Sequence, residues 1–152
     1  MPSIHASAVL VGTRALLIRG PSGAGKSRLV LALLRQAETG TPAFVRLVAD
    51  DRSLITSHHG RLVVRPVPEI AGLIEVRGLG IRRLAYEPAA VVGCVVDLAA
   101  GEGERLPAAT SARVIVEGIH LPRLPVAADA DPLALVLDRI ATDSSGGAAS
   151  VA

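Results

Sequence analysis

The apolar positions fall into short runs separated by turn residues, with one clear change of period near the start. Residues 7–19, "SAVLVGTRALLIR", form two apolar runs around Gly12 and Thr13, and the second leads straight into "GPSGAGKS" at 20–27. Beyond it Leu29, Val30, Leu33, Leu34 and Ala37 recur at the spacing of one helix face, which predicts a helix over "KSRLVLALLRQAE". "ETGTPA" reads as a linker and "FVRLVADD" as an apolar strand ending in two carboxylates. "RSLITSHHGRLVVRP" alternates on both sides of a Ser-His-His-Gly turn, a hairpin pattern that leaves His58 and His59 exposed. "PEIAGLIEVRGLGI" is apolar but interrupted by charge and glycine. "AAVVGCVVDLAA" reads as a buried strand, and "RVIVEGIHLPRLPV" as another that closes in a proline-rich loop near His120. "DPLALVLDRIA" is a helix with Asp131 as N-cap and Pro132 in its first turn. The expected organisation is one domain over 1–141, with a disordered small and polar tail over 142–152.

Composition narrows this picture. Half of the 152 residues are apolar, yet Phe44 and Tyr86 are the only Phe, Trp or Tyr residues, so the core must be built from Val, Leu, Ile and Ala. No run approaches the roughly 20 apolar residues that span a bilayer, and no basic segment followed by a long apolar stretch opens the chain. Neither a membrane partner nor a secretory leader is expected. The single cysteine, Cys94, rules out an internal disulfide, suits a reducing cytoplasm and reads as a buried thiol. A net charge of +2 offers no argument for a nucleic-acid partner. Of the 16 basic residues only Lys26 is a lysine, and it lies inside the glycine-rich segment. A loop around phosphates needs a compact point charge there, which arginine does not supply.

The segment 20–27 fits G-x-x-x-x-G-K-[ST], with Gly20, Pro21, Ser22, Gly23, Ala24, Gly25, Lys26 and Ser27 as its cradle. Backbone N–H groups and the helix N-terminus attract an anion, Lys26 adds charge for terminal phosphates, and Ser27 can ligate Mg²⁺. A strand before and a helix after supply the context that this motif requires. Three carboxylate positions compete for the accompanying role. Asp97 ends an apolar strand and on pattern alone looks like the metal-holding aspartate of a nucleotide hydrolase. Asp50 and Asp51 are adjacent, so on a strand only one of them faces the phosphate. Glu75 lies among apolar residues, either in a site or in a structural ion pair with Arg77. No His, Cys and acid spacing suggests zinc. N-K-x-D and L-S-G-G-Q are absent, which leaves guanine-specific switches and transporter ATPases without support.

Four pieces in order resemble the C-terminal catalytic domain of the HPr kinase/phosphorylase family: "SIHASAVLVGTRALLIRGPSGAGKS", "RLVADDRSLI", "PEIAGLIEVRGLGI" and "VVDLAAGEGERL". The resemblance runs over about residues 3–141. It implies an α/β phosphate-binding-loop fold with a mostly β core, of the HPr kinase/phosphoenolpyruvate carboxykinase type. It also implies a cytoplasmic protein-serine kinase that uses ATP and Mg²⁺ to phosphorylate an HPr-type phosphocarrier, with phosphorolysis as the reverse activity. Asp51 would accept the serine proton with Asp50 beside it, Ser27 and Glu75 would hold Mg²⁺, and Lys26 the phosphates. Arg105 would be a further catalytic cation, and His5 would sit close to the site. Asp97 then becomes a core strand residue. The resemblance further implies a short form without the family's N-terminal domain, and a homo-oligomer, hexameric in the family. A small-molecule kinase and a non-catalytic ATP sensor are the alternatives.

Overall fold

A computed structural model describes residues 2–42, 44–100 and 112–145. The side chains of Ala100 and of residues 143–145 are outside that description. The chain opens with β1 (Ser3–Ile4), β2 (Ala6–Val11) and β3 (Arg14–Arg19), followed by α1 (Lys26–Ala37). β4 (Val45–Ala49), β5 (Ser53–His58) and β6 (Arg61–Pro66) come next, then a single 3-10 turn at Pro68–Ile70. A small separate hairpin pairs β7 (Leu73–Val76) with β8 (Gly80–Arg83). The chain closes with β9 (Ala90–Ala100), β10 (Arg113–Val116), β11 (Ile119–Ala127) and α2 (Pro132–Ser145).

Nine of these strands form one mixed sheet in the order β1-β5-β6-β9-β3-β2-β4, with β11 against β9 and β10 against β11. β3, β9 and β11 are mutually parallel where they pair, and the other contacts are antiparallel. The fold is therefore mixed α/β, a large curled sheet with few helices. Parallel strands buried on both faces read as near-continuous apolar runs, which is why "ALLI" and "VVGCVV" show no polar alternation.

Alternation along those strands divides the core in two. Leu16, Ile18, Cys94 and Val96 face Leu29, Val30 and Leu33 of α1 and Val136 of α2. Ala15, Leu17, Val92 and Val95 point the other way, onto Ile55, Leu62, Val64, Val116 and Leu121 of the hairpins. Apart from cysteine these layers are aliphatic, as the composition requires.

Three local expectations change. β11 runs through the proline-rich segment, and His120 is an exposed strand residue rather than a loop residue. Pro122 and Pro125 fit because β11 pairs with β10 over its first residues and with β9 over its later ones, so one edge stays open along each part. α2 continues to Ser145, past the point at 142 where the tail was expected, and residues 146–152 lie outside the described residues. The Asp131 cap is present: its Oδ1 accepts the N–H groups of Leu133 at 3.1 Å and Ala134 at 3.4 Å. Among the described residues no helix is long and apolar enough to cross a membrane.

Leu17, fully buried between Ala8 and Val95 in the sheet register, tests the core. Leu17→Ala should lower unfolding free energy by about 3 kcal/mol in urea titrations at unchanged slope. Leu79→Ala on the exposed hairpin (Leu79 is 61% exposed) should stay within about 0.5 kcal/mol of the parent.

Candidate functional site

β3 delivers the chain at Arg19 into the glycine loop, and α1 begins at Lys26. The loop turns on an Ala24 N–H to Pro21 carbonyl bond of 3.0 Å, and the helix ladder starts with Leu29 N–H to the Gly25 carbonyl at 2.9 Å. Gly25, the N-cap, has φ +101°, which an L side chain adopts only under strain. Gly20 is needed for a different reason: a Cβ there would meet Leu98 Cβ at 3.1 Å and Ala24 Cβ at 3.3 Å. No side chain caps α1 and the helix carries no acid in its own first turn, so no residue of α1 itself satisfies its leading N–H groups. Lys26 is 6% exposed, and its Nζ donates to the carbonyls of Gly20 at 2.9 Å and Pro21 at 3.2 Å. An ammonium has three donors, so one remains for a phosphate oxygen.

β4 pairs with β2 and ends at Ala49, which sets the two aspartates beside the loop. They separate at the turn that follows the end of β4. Asp50 is buried at 8% exposure, and its Oδ1 accepts the Ser27 hydroxyl at 2.6 Å and the Ser7 hydroxyl at 2.8 Å. Asp51 is exposed, and its Oδ1 lies 2.8 Å from His5 Nε2. A carboxylate can only accept, so His5 is the donor in that pair. The Arg52 N–H reaches back to the Asp50 carbonyl at 2.7 Å, which folds a three-residue turn with Asp51 at its apex and φ +67°. Such backbone costs about 1–3 kcal/mol in a non-glycine residue and persists only where its surroundings hold it.

Glu75, on β7, brings its backbone N–H within 3.5 Å of Asp50 Oδ2, while its side chain is exposed. Among the described residues it makes no ion pair with Arg77. Lys26, Ser27, Asp50, Asp51, His5 and Glu75 thus lie around one place. Arg105 falls outside the described residues. Ser7, which the apolar pattern did not single out, touches both aspartates. Its sequence signal is weak: it stands two residues after His5, which lies in the bend between β1 and β2.

Asp97 is placed elsewhere. Parallel pairing sets Arg19 opposite it, and Arg19 grips it with Nε to Oδ1 at 2.8 Å and Nη2 to Oδ2 at 2.9 Å, while Arg123 Nε reaches Oδ2 at 2.6 Å. Burial pushes the Asp97 carboxyl upward, but hydrogen bonds from Arg19 and Arg123, helped by their charges, outweigh it and hold it below the usual range. The same hydrogen bond raises Arg19 against its own burial. This carboxylate is spent on two cations, so the pattern-based role as metal ligand does not hold. It is the strand residue that the family resemblance implies.

One cavity adjoins the glycine loop and another lies far from it. A cavity of about 340 Å³ lies between loop residues Pro21–Ala24 and the small apolar residues Leu98, Ala99, Val126 and Ala130. It opens at the carboxyl ends of β3, β9 and β11, where ligands of open α/β sheets bind. A larger one of about 1280 Å³ lies at the other ends of these strands, among Arg14, Leu16, Val92, Leu121 and Ile140, and includes no candidate site residue.

A strand, a glycine-rich loop and an uncapped helix start, with two carboxylates just past the end of β4, mark a mixed α/β domain whose loop carries the G-x-x-x-x-G-K-[ST] pattern. Comparison with known proteins narrows the class. The profile of the HPr Serine kinase C-terminal domain matches residues 1–86, and the chain belongs to that family. The HPr kinase/phosphorylase of Mycoplasma mycoides is 34% identical over 77 residues, which cover 51% of this chain and 22% of that protein. That of Clostridium beijerinckii is 38% identical over 78 residues, 51% and 24% of the two chains. That of Halalkalibacterium halodurans is 40% identical over 80 residues, 52% and 24%. The matched region therefore spans about a quarter of each relative's length. The solved HPr(Ser) kinase/phosphatase of Coxiella burnetii shares the fold, with a TM-score of 0.74 at 24% identity over 97% of this chain and 100% of that one. The family match includes His5, the loop, both aspartates and Glu75, and stops before Asp97 and Arg105.

The Asp97 cluster makes a pH prediction. Its folded carboxyl lies below the unfolded value, so its stabilisation is present above about pH 3.9 and is lost as pH falls through the folded value. Asp97→Asn should cost about 2–3 kcal/mol at pH 7, less than a fully buried pair because the site is partly open. Urea titrations from pH 7 to 3 should show the parent losing stability on acidification and the variant losing less.

Proposed function

We propose that this chain carries the catalytic centre of a protein-serine kinase that transfers the γ-phosphoryl group of ATP, with Mg²⁺, to a serine of an HPr-type phosphocarrier. The observation that carries the reading is the 2.6 Å contact between Ser27 of the loop and Asp50 of the twin-aspartate turn, which joins a phosphate cradle to a pair of carboxylates. The family relationship supplies the acceptor class.

The residues fit a triphosphate and a hard cation. Free backbone N–H groups of the loop from Ser22 to Ser27 would hold the phosphates together with Lys26, and the Ser27 hydroxyl beside Asp50 and the exposed Glu75 carboxylate would offer oxygen ligands to the cation. Bound Mg²⁺ would neutralise charge that builds on the phosphate oxygens. Asp51 accepts the proton of the serine hydroxyl as that oxygen bonds to the γ-phosphorus and the bond to the β,γ-bridging oxygen breaks. The products are phosphoserine and ADP. His5 holds the Asp51 carboxylate, whose exposure suits it to meet a hydroxyl arriving on another protein. The reverse use of the site is phosphorolysis, in which inorganic phosphate takes the phosphoryl group from phosphoserine and leaves as pyrophosphate. Arg105 would serve as a further cation for the same phosphates.

Incubation with labelled ATP, Mg²⁺ and a purified HPr carrier should place label on a carrier serine. Asp51→Asn should reduce transfer about 10²- to 10⁴-fold while ATP still binds. ATP binding by the unaltered chain without transfer would favour a nucleotide sensor, and label on a metabolite hydroxyl would favour a small-molecule kinase. Either result would overturn the reading. Pyrophosphate release from the phosphorylated carrier tests the reverse reaction.

A further inference from the structure

Ser7 is fully buried on β2, two residues after His5, and the two side chains meet the same turn. A hydroxyl has one donor and two acceptor positions. Ser7 uses both kinds: it donates to Asp50 Oδ1 at 2.8 Å and accepts the Asp51 N–H at 3.2 Å. One oxygen therefore links the side chain of the first aspartate to the backbone of the second. Ser53, also fully buried nearby, donates its hydroxyl to the Ala6 carbonyl at 2.9 Å and so cannot stand in for Ser7.

The turn that Ser7 holds is strained. Asp51 sits at φ +67°, with a short Arg52 to Asp50 bond across it. We propose that Ser7 is a positioning residue for phosphoryl transfer: its hydroxyl fixes the Asp50–Asp51 turn and so aims the Asp51 carboxylate with respect to the glycine loop. The proposal rests on the function given above and adds to it a residue that makes no contact with a reactant. Ser27 holds Asp50 from the loop side and Ser7 from the sheet side, so the loop and the base keep one relative position. His5 acts on the far oxygen-bearing end of Asp51, and Ser7 acts on its backbone.

Ser7→Ala is the test, because it removes the hydroxyl without adding bulk. Two measurements are made on the full chain. Carrier phosphorylation should show kcat reduced about 10- to 100-fold, as for a base displaced by a fraction of an ångström to 1 Å, with KM for ATP changed less than about threefold. Amide hydrogen exchange should rise about tenfold or more at Asp51 and stay unchanged at Leu17 and Val95 of the core. A raised KM at unchanged kcat would overturn the proposal, as would unchanged exchange at Asp51. Faster exchange at Leu17 and Val95 as well would mean that Ser7 only supports the sheet, and would also overturn it. If the unaltered chain labels no carrier, the kinase reading fails, and exchange alone decides whether Ser7 holds the turn.

Discussion

The carboxylate of Asp50 joins segments that are far apart in the chain. Ser7 reaches it from β2, Ser27 from the start of α1, and the Glu75 backbone from β7. A carboxylate almost removed from water must be hydrogen-bonded or it would not remain there, so its needs constrain all three segments at once. β4 packs beside β2 and under α1, which places the carboxylate between two hydroxyl donors. Just past the end of β4 the tight Asp50–Arg52 turn, with Asp51 at φ +67°, leaves the first carboxylate inside and sends the second outward.

Two carboxylates at the ends of apolar strands meet opposite fates for a reason that lies in their neighbours. Asp97 faces Arg19 across a parallel strand pair and Arg123 from the next strand, so its charge is matched twice and its oxygens are occupied. Asp50 is held by neutral hydroxyls, which satisfy its lone pairs without cancelling its charge. A cation arriving with phosphates would find charge at Asp50 and none to spare at Asp97. The Asp97 cluster still serves the loop indirectly. It clamps β3 one residue before Gly20, and Leu98, the next residue on β9, packs on Gly20 so closely that a Cβ there would meet Leu98 Cβ at 3.1 Å, tighter than ordinary contact.

The family relationship maps unevenly onto this architecture. Its matched residues carry the loop, the aspartate turn and the β7–β8 hairpin. The central strand β9, the strand β11 and the helix α2 lie beyond them, although the likeness of fold to a solved relative extends over 97% of the chain. The described residues of β9, β11 and α2 pack against α1 and the hairpins, and aliphatic packing accepts many sequences of similar volume.

Much of this was open to a reader of the sequence. The period-3.6 run after Lys26, the hairpins around Gly12-Thr13 and His59-Gly60, and the Asp131 cap all follow from local chemistry, and the structure has each of them. The glycine loop was equally legible, because glycine and lysine at those spacings answer a backbone and charge requirement that acts over a few residues. The strand through Pro122 and Pro125 was not, since proline is allowed there only by an open edge that depends on which strands pair. Local pattern favoured Asp97 over Asp50. That choice turns on Arg19, Arg123, Ser7 and Ser27, brought together by sheet order and register. The sequence by itself determined that a glycine-rich loop with one lysine stands between a strand and a helix in a chain with an aliphatic core. Tertiary structure decided which carboxylate lies against that loop and which is neutralised, because a carboxylate's surroundings depend on the charges and donors that sheet order and register bring within a few ångströms of it.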